Sequence, residues 1–139
     1  MHSIPRLNDN LYTFAKECKE TRMNIEEIRT YCLSKKGVTE EFPFDESSLV
    51  YKVMGKMFLL TDLESELWIN LKCDPEKAME LREKYPCVLP GYHMNKRHWN
   101  TIRVDGSASS KLIREWIDHS YEKVVEKLTR KQKEQLSHL

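Results

Sequence analysis

The 139-residue chain carries 23 Lys and Arg against 22 Asp and Glu, a formal net charge of +1, and 40% apolar residues. Its mean hydropathy of -0.67 and its 4 Gly and 5 Pro exclude a collagen-like, linker-rich or low-complexity chain, and no apolar run approaches the length that crosses a bilayer. With charge so nearly balanced, any affinity for nucleic acid has to come from local clustering of cations and not from the molecule's total.

Residues 1–22 read as an N-terminal extension. Leu11, Tyr12, Phe14 and Ala15 suggest at most a short amphipathic helix there, ahead of a polar run from Lys16 to Glu20. A single domain is expected over 23–139. Asn24 is placed to cap a first helix, with Glu27 at the capping-box position. Ile25, Ile28, Tyr31 and Cys32 then recur at helical spacing, and Gly37 supplies a stop. Glu40 to Glu46 reads as a turn-like acidic segment. Leu49–Val53 and Met57–Thr61, joined through Met54-Gly55-Lys56, predict a β-hairpin, and Leu67–Lys72 a third strand.

Asp74-Pro75 is a helix start with Asp at N-cap and Pro at N1; Ala78, Leu81 and Tyr85 form its buried face and Pro86 ends it. One or two strands are predicted next, one of them from Trp99 through Ile102 to Val104, closed by the turn Asp105-Gly106. The last helix runs from Ser109 or Ser110 to Leu128, with Leu112, Ile113, Trp116, Ile117, Tyr121, Val124, Val125 and Leu128 on one stripe. Beyond Thr129 the tail is polar and expected to fray. Short connections between strands favour antiparallel pairing, so the fold class is α+β. Cys18, Cys32, Cys73 and Cys87 form no CxxC pair, and Met1–Arg6 lacks a signal peptide's apolar core. A reducing, cytoplasmic setting is the expectation.

The most informative segment is Gly91-Tyr92-His93-Met94-Asn95-Lys96-Arg97-His98-Trp99-Asn100-Thr101, inside a window from Lys84 to Arg103 without a single Asp or Glu. The positive potential that follows marks an anion-binding surface. Lys96, Arg97 and Arg103 suit phosphate. Asn95, Asn100, His93 and His98 suit phosphate or base edges, and Tyr92 or Trp99 an exposed base. Against this stands a structural reading, in which Tyr92 and Trp99 are core aromatics and the acidic Glu40–Glu46 segment pairs with the basic one.

The chain from Met23 to about Leu128 resembles the MmcQ/YjbR family of small bacterial proteins. The matching segments are Met23-Asn24-Ile25-Glu26-Glu27, Gly37-Val38, Glu41-Phe42-Pro43-Phe44, Val53 with Gly55-Lys56-Met57-Phe58, Asn70 to Pro75, and Pro90 to Asn100. The resemblance implies a CyaY-like (frataxin-like) sandwich, an antiparallel sheet with helices packed on one face. It also implies the "double wing" DNA-binding description attached to the family. Relatives encoded beside an antibiotic cluster imply the alternative, sequestration of or resistance to a small anionic or aromatic ligand. Tyr92, His93, His98 and Trp99 are the expected walls of such a pocket.

Metal binding through Cys73, Cys87, His93 and His98 fails on spacing, since no knuckle-type cysteine pair is present. The first helix lacks the acidic face that frataxins use for iron. A Cys87 nucleophile with His93 or His98 as base and Asp105 as orienter has nothing to fix its geometry, and no glycine-rich phosphate loop or nucleophile elbow appears. The expectation is a non-enzymatic module without cofactor or metal, its oligomeric state open with a monomer favoured.

Overall fold

A computed structural model of the chain describes residues 23–42, 47–63 and 66–139. The extension over 1–22 with its short helix and Cys18, and the acidic residues Asp45 and Glu46, lie outside the described residues. The elements, in order, are α1 (Ile25–Leu33), β1 (Val38–Glu41), β2 (Ser48–Val53), β3 (Lys56–Asp62), β4 (Trp68–Lys72), α2 (Pro75–Lys84), β5 (Val88–Pro90), β6 (Trp99–Arg103), α3 (Ser110–Glu126) and α4 (Arg130–Ser137).

The helix starts follow the local signals. Asn24 Oδ1 accepts from Glu27 N at 2.9 Å, and Asp74 caps α2 with Pro75 in its first turn. Ser109 caps α3 through Leu112 N at 3.2 Å. Two elements, β1 and α4, went unforeseen, and the sequence leaves the second strand after α2 open. The acidic segment opens as β1, whose register pairs Val38 with Val53 and Glu41 with Val50. The run after Cys87 forms β5 against β6. The tail does not fray: Thr129 and Gln132 make a reciprocal capping box, and Leu136 is buried against Gly37. That glycine sits at φ 73, and a Cβ on it would fall 2.5 Å from Leu136. Gly37 is therefore a docking point for α4; α1 has already ended, with Ser34 as its C-cap.

The strands form one antiparallel sheet in the order β1-β2-β3-β4-β6-β5. The β2–β3 turn places Met54 at φ 50 and Gly55 at φ 81, the two left-handed residues of a hairpin turn matched to strand twist. Tyr51 then faces Leu59 while Lys52 faces Met57, so Phe58 is the extra residue of a bulge. One face of the sheet carries Tyr51, Leu59, Ile69, Leu71 and Ile102. These join Ile28 and Cys32 of α1 and Ile113, Trp116, Ile117 and Val124 of α3 in a single core. Helix α2 joins that side through the edge-on ring contact of Tyr85 and Trp116 at 5.1 Å. The opposite face carries Val50, Leu60 and Asn70 in one cross-strand row with Thr101 and Leu89, and Trp68 opposite Arg103 in the next. No described helix packs on it.

His119 stitches α3 to the start of α2, its Nε2 accepting from Asp74 N at 3.2 Å. Burial pulls its pKa below the ordinary 6.5, with Lys77 and Lys123 adding to the shift and Glu122 and Asp74 opposing it. Only neutral imidazole offers an acceptor. The unfolded chain therefore takes up this proton at a higher pH than the fold does. The contribution of His119 is complete above pH 6.5 and is lost as pH falls below it toward the folded value. Urea midpoints of the wild type are expected to decline through that window more steeply than those of His119→Gln, which keeps a neutral acceptor. Parallel profiles would refute the assignment.

Candidate functional site

The basic segment is the β5–β6 connection. Its two ends are pinned at the sheet edge: Gly91 N donates to Trp99 O at 2.9 Å, and Tyr92 N to Thr101 Oγ1 at 2.8 Å. The approach at Gly91 needs glycine, because a Cβ there would sit 2.8 Å from the Trp99 carbonyl oxygen. Between the pins run two turns. Met94 N reaches Gly91 O at 3.3 Å and His98 N reaches Asn95 O at 3.2 Å, with His93 in the left-handed region at φ 59. Asn95 Oδ1 also accepts from Arg97 N at 2.9 Å, so this side chain shapes the second turn. The His98 carbonyl takes Cys73 N at 2.8 Å, tying the loop to the end of β4.

A residue outside the motif holds it in place. Arg82 of α2 donates from Nε to Asn100 Oδ1 at 2.7 Å and from Nη2 to Trp99 O at 3.3 Å and to Lys96 O. Asn100 Nδ2 in turn reaches Ala78 O at 3.4 Å. Asn100 is 1% exposed, which corrects its assignment as a contact residue: its amide is consumed inside the fold.

Of the other expected contact residues, Tyr92, His93, Asn95, Lys96, Arg97 and Arg103 are exposed, and His98 and Trp99 are half-buried. The Tyr92 and His93 rings lie 4.0 Å apart. The expected pairing with the acidic segment does not form where that segment is described. Glu40 is held by Arg29 at 2.8 Å and by Tyr51 Oη at 2.8 Å, and the Arg29 hydrogen bond keeps its carboxyl below the usual range. Glu41 is held by Lys52 at 2.6 Å. Both glutamates lie on β1, the strand at one edge of the sheet, whereas the basic loop leaves β5 at the other. Among the described residues, Lys96, Arg97 and Arg103 form no ion pair with a carboxylate.

The ligand walls also fall differently. Tyr92 lines a cleft of about 460 Å³ whose other lining residues, among those described, are Asp62, Trp68, Asn70 and Thr101, on the face of the sheet that no described helix covers. Its floor is ordered: Thr101 Oγ1 donates to Asn70 Oδ1 at 2.6 Å, and Asn70 Nδ2 donates to Leu60 O at 3.3 Å. Arg103 lies over the Trp68 ring at 5.0 Å. Sequence reasoning passed over Trp68 and Asn70. The usable signal was the alternation in β4, which puts both opposite Ile69 and Leu71.

Cys32, Cys73 and Cys87 are buried free thiols. Burial raises Cys32 to about 12 and Cys73 to about 11, which leaves both protonated and unreactive at neutral pH. Asp105 is spent on a turn, accepting from Ser107 N at 2.9 Å. Among the described residues no group of three or more His, Cys, Asp or Glu is placed to hold a metal ion, and no helix is long and apolar enough to cross a membrane.

The described residues form a small α+β domain, an antiparallel sheet with its described helices on one face and a basic hairpin connection at its edge. The chain belongs to the YjbR family, whose model matches residues 33–123. It is 32% identical to YjbR of Escherichia coli K12 over 118 residues, covering 84% of this chain and 100% of that protein. It is 38% identical to YbdF of Escherichia coli O157:H7 over 91 residues, covering 65% of this chain and 75% of that one. A solved Deinococcus radiodurans protein with a DUF419 domain matches with a TM-score of 0.78 at 36% identity, over 84% of this chain and 89% of its own. A Pseudomonas syringae protein matches at 0.65 and 26% identity, over 73% of this chain and 98% of its own.

Proposed function

We propose that the chain is a non-enzymatic, cytoplasmic DNA-binding module whose contact surface is the β5–β6 loop with Arg103 beside it. One observation carries the reading. Lys96 and Arg97 stand exposed and without a carboxylate partner among the described residues, on a loop fixed by Arg82, Thr101 and Gly91, at the sheet edge opposite Glu40 and Glu41. A fixed loop presents its cations without a large ordering cost, and phosphate binding gains by releasing counterions. His93 and Asn95 extend the donors beside them.

The test is fluorescence anisotropy with short labelled DNA across a salt series. Micromolar binding at low salt is expected, weakening linearly in log-log form. Lys96→Ala/Arg97→Ala is expected to weaken it and to flatten the slope by about 1.5, the contribution of two phosphate contacts. Absence of binding at low salt, or an unchanged slope in the double variant, would sink the proposal. A second reading, capture of a small aromatic ligand, is favoured by the cleft under Tyr92 and Trp68, and would respond only weakly to salt.

A further inference from the structure

The cleft and the loop share Tyr92, and that junction allows the nucleic-acid reading to be made more specific. We propose that the cleft between Trp68 and Tyr92, on the sheet face that no described helix covers, receives one unpaired base of a single strand, while Arg103, Lys96 and Arg97 hold the flanking phosphates. This rests on the loop being a nucleic-acid surface and adds which form of nucleic acid it takes.

The lining fits a base better than it fits an apolar side chain or a phosphate. Two aromatic residues supply faces of the kind on which any base stacks. Tyr92 is 64% exposed, yet its backbone is pinned to the floor through Thr101, so its ring is offered at a fixed root. An amide has two donors and two acceptor lone pairs at its oxygen. Asn70 spends one Nδ2 hydrogen on Leu60 O and one Oδ1 lone pair on Thr101. A donor and an acceptor remain on a side chain whose orientation those two bonds fix, and such a pair complements the edge of a base. Asp62 puts a carboxylate in the lining, which disfavours a phosphate at the centre of the cleft. Arg103 lies over Trp68, and Lys96 and Arg97 follow Tyr92 in the same loop, four and five residues on. A volume of about 460 Å³ falls within the range of small-molecule sites. A base stacked inside a duplex cannot enter such a recess, so the strand has to be single or locally opened.

The decisive probe is a labelled thymidine dodecamer set against an abasic strand of the same length, which keeps the phosphates and removes the bases, and against the matching duplex. The thymidine strand is expected to bind roughly ten-fold tighter than the abasic one, the scale of one base–aromatic stack. Tyr92→Ala is expected to remove that difference, bringing the thymidine strand down to the level of the abasic one; so exposed a residue can be replaced without unfolding the protein, which a melting curve checks. Asn70→Ala is expected to reduce the difference as well. Equal affinity for the thymidine and abasic strands, or tighter binding of the duplex, would overturn the cleft assignment while leaving the phosphate surface in place. Failure of every strand to bind at low salt would overturn both.

Discussion

Replacing Ser120 with alanine is expected to cost about 2–4 kcal/mol, a drop of roughly 10 °C in Tm for a domain this size. Ser120 is fully buried on the face of α3 that meets the sheet. Its hydroxyl donates to Phe58 O at 2.6 Å and accepts from Lys72 N at 2.8 Å. The β3–β4 register ends at Leu59 opposite Leu71, and Phe58 and Lys72 are the next residues out. The hydroxyl thus occupies the place of the next rung of the ladder. Alanine would leave the buried Phe58 carbonyl without its partner, at about 1–3 kcal/mol, and the part-buried Lys72 N–H without its own, at about 1 kcal/mol. The strands cannot simply close, because Phe58 is engaged edge-on with Tyr121 at 5.5 Å. Urea unfolding with hydrogen exchange at the Lys72 amide checks this. An unchanged midpoint with Lys72 still protected would mean that the two strands zip together without the helix.

Interactions of this kind explain what could be read in advance and what could not. The starts of α1 and α2 were legible because a cap is settled within four residues: Asn24 to Glu27, and Asp74 with Pro75. The β2–β3 hairpin and the stripe of α3 were legible because their apolar period is long. Strand β1 was hidden by Glu40 and Glu41, which reads as a turn until Arg29, Tyr51 and Lys52 arrive from other elements to satisfy them. Helix α4 was hidden because its burial rests on one residue, Leu136. The capping box from Thr129 to Gln132 was nonetheless present in the sequence and was the signal missed. At the site, composition alone exposed the cations. It did not show that Asn100 turns inward, or that Tyr92 meets Trp68 and Asn70 across the sheet, since those placements depend on strand order.

The strongest effect on the site itself is expected from a residue outside it. Arg82→Ala is predicted to destabilise the fold by about 2–4 kcal/mol and to weaken DNA binding with no change in salt slope. The guanidinium serves three acceptors at once, Asn100 Oδ1 and the carbonyls of Lys96 and Trp99. Its removal strips a buried amide of a charged donor and frees the turn that carries Lys96 and Arg97. The flexible turn must then be ordered at the moment of binding, so affinity falls. The number of phosphates contacted stays the same, so the slope of log affinity against log salt does not move. Lys96→Ala/Arg97→Ala does the reverse, leaving stability within about 0.5 kcal/mol, as exposed substitutions usually do, while flattening the slope. Arg82→Lys is expected to rescue little, because one ammonium cannot reproduce a planar fork that spans Nε and Nη2. Anisotropy over a salt series, paired with urea unfolding of each variant, separates a residue that positions the loop from residues that touch the ligand. If Arg82→Ala flattened the slope as the double variant does, Arg82 would be a phosphate contact and the clamp would be the wrong account of it.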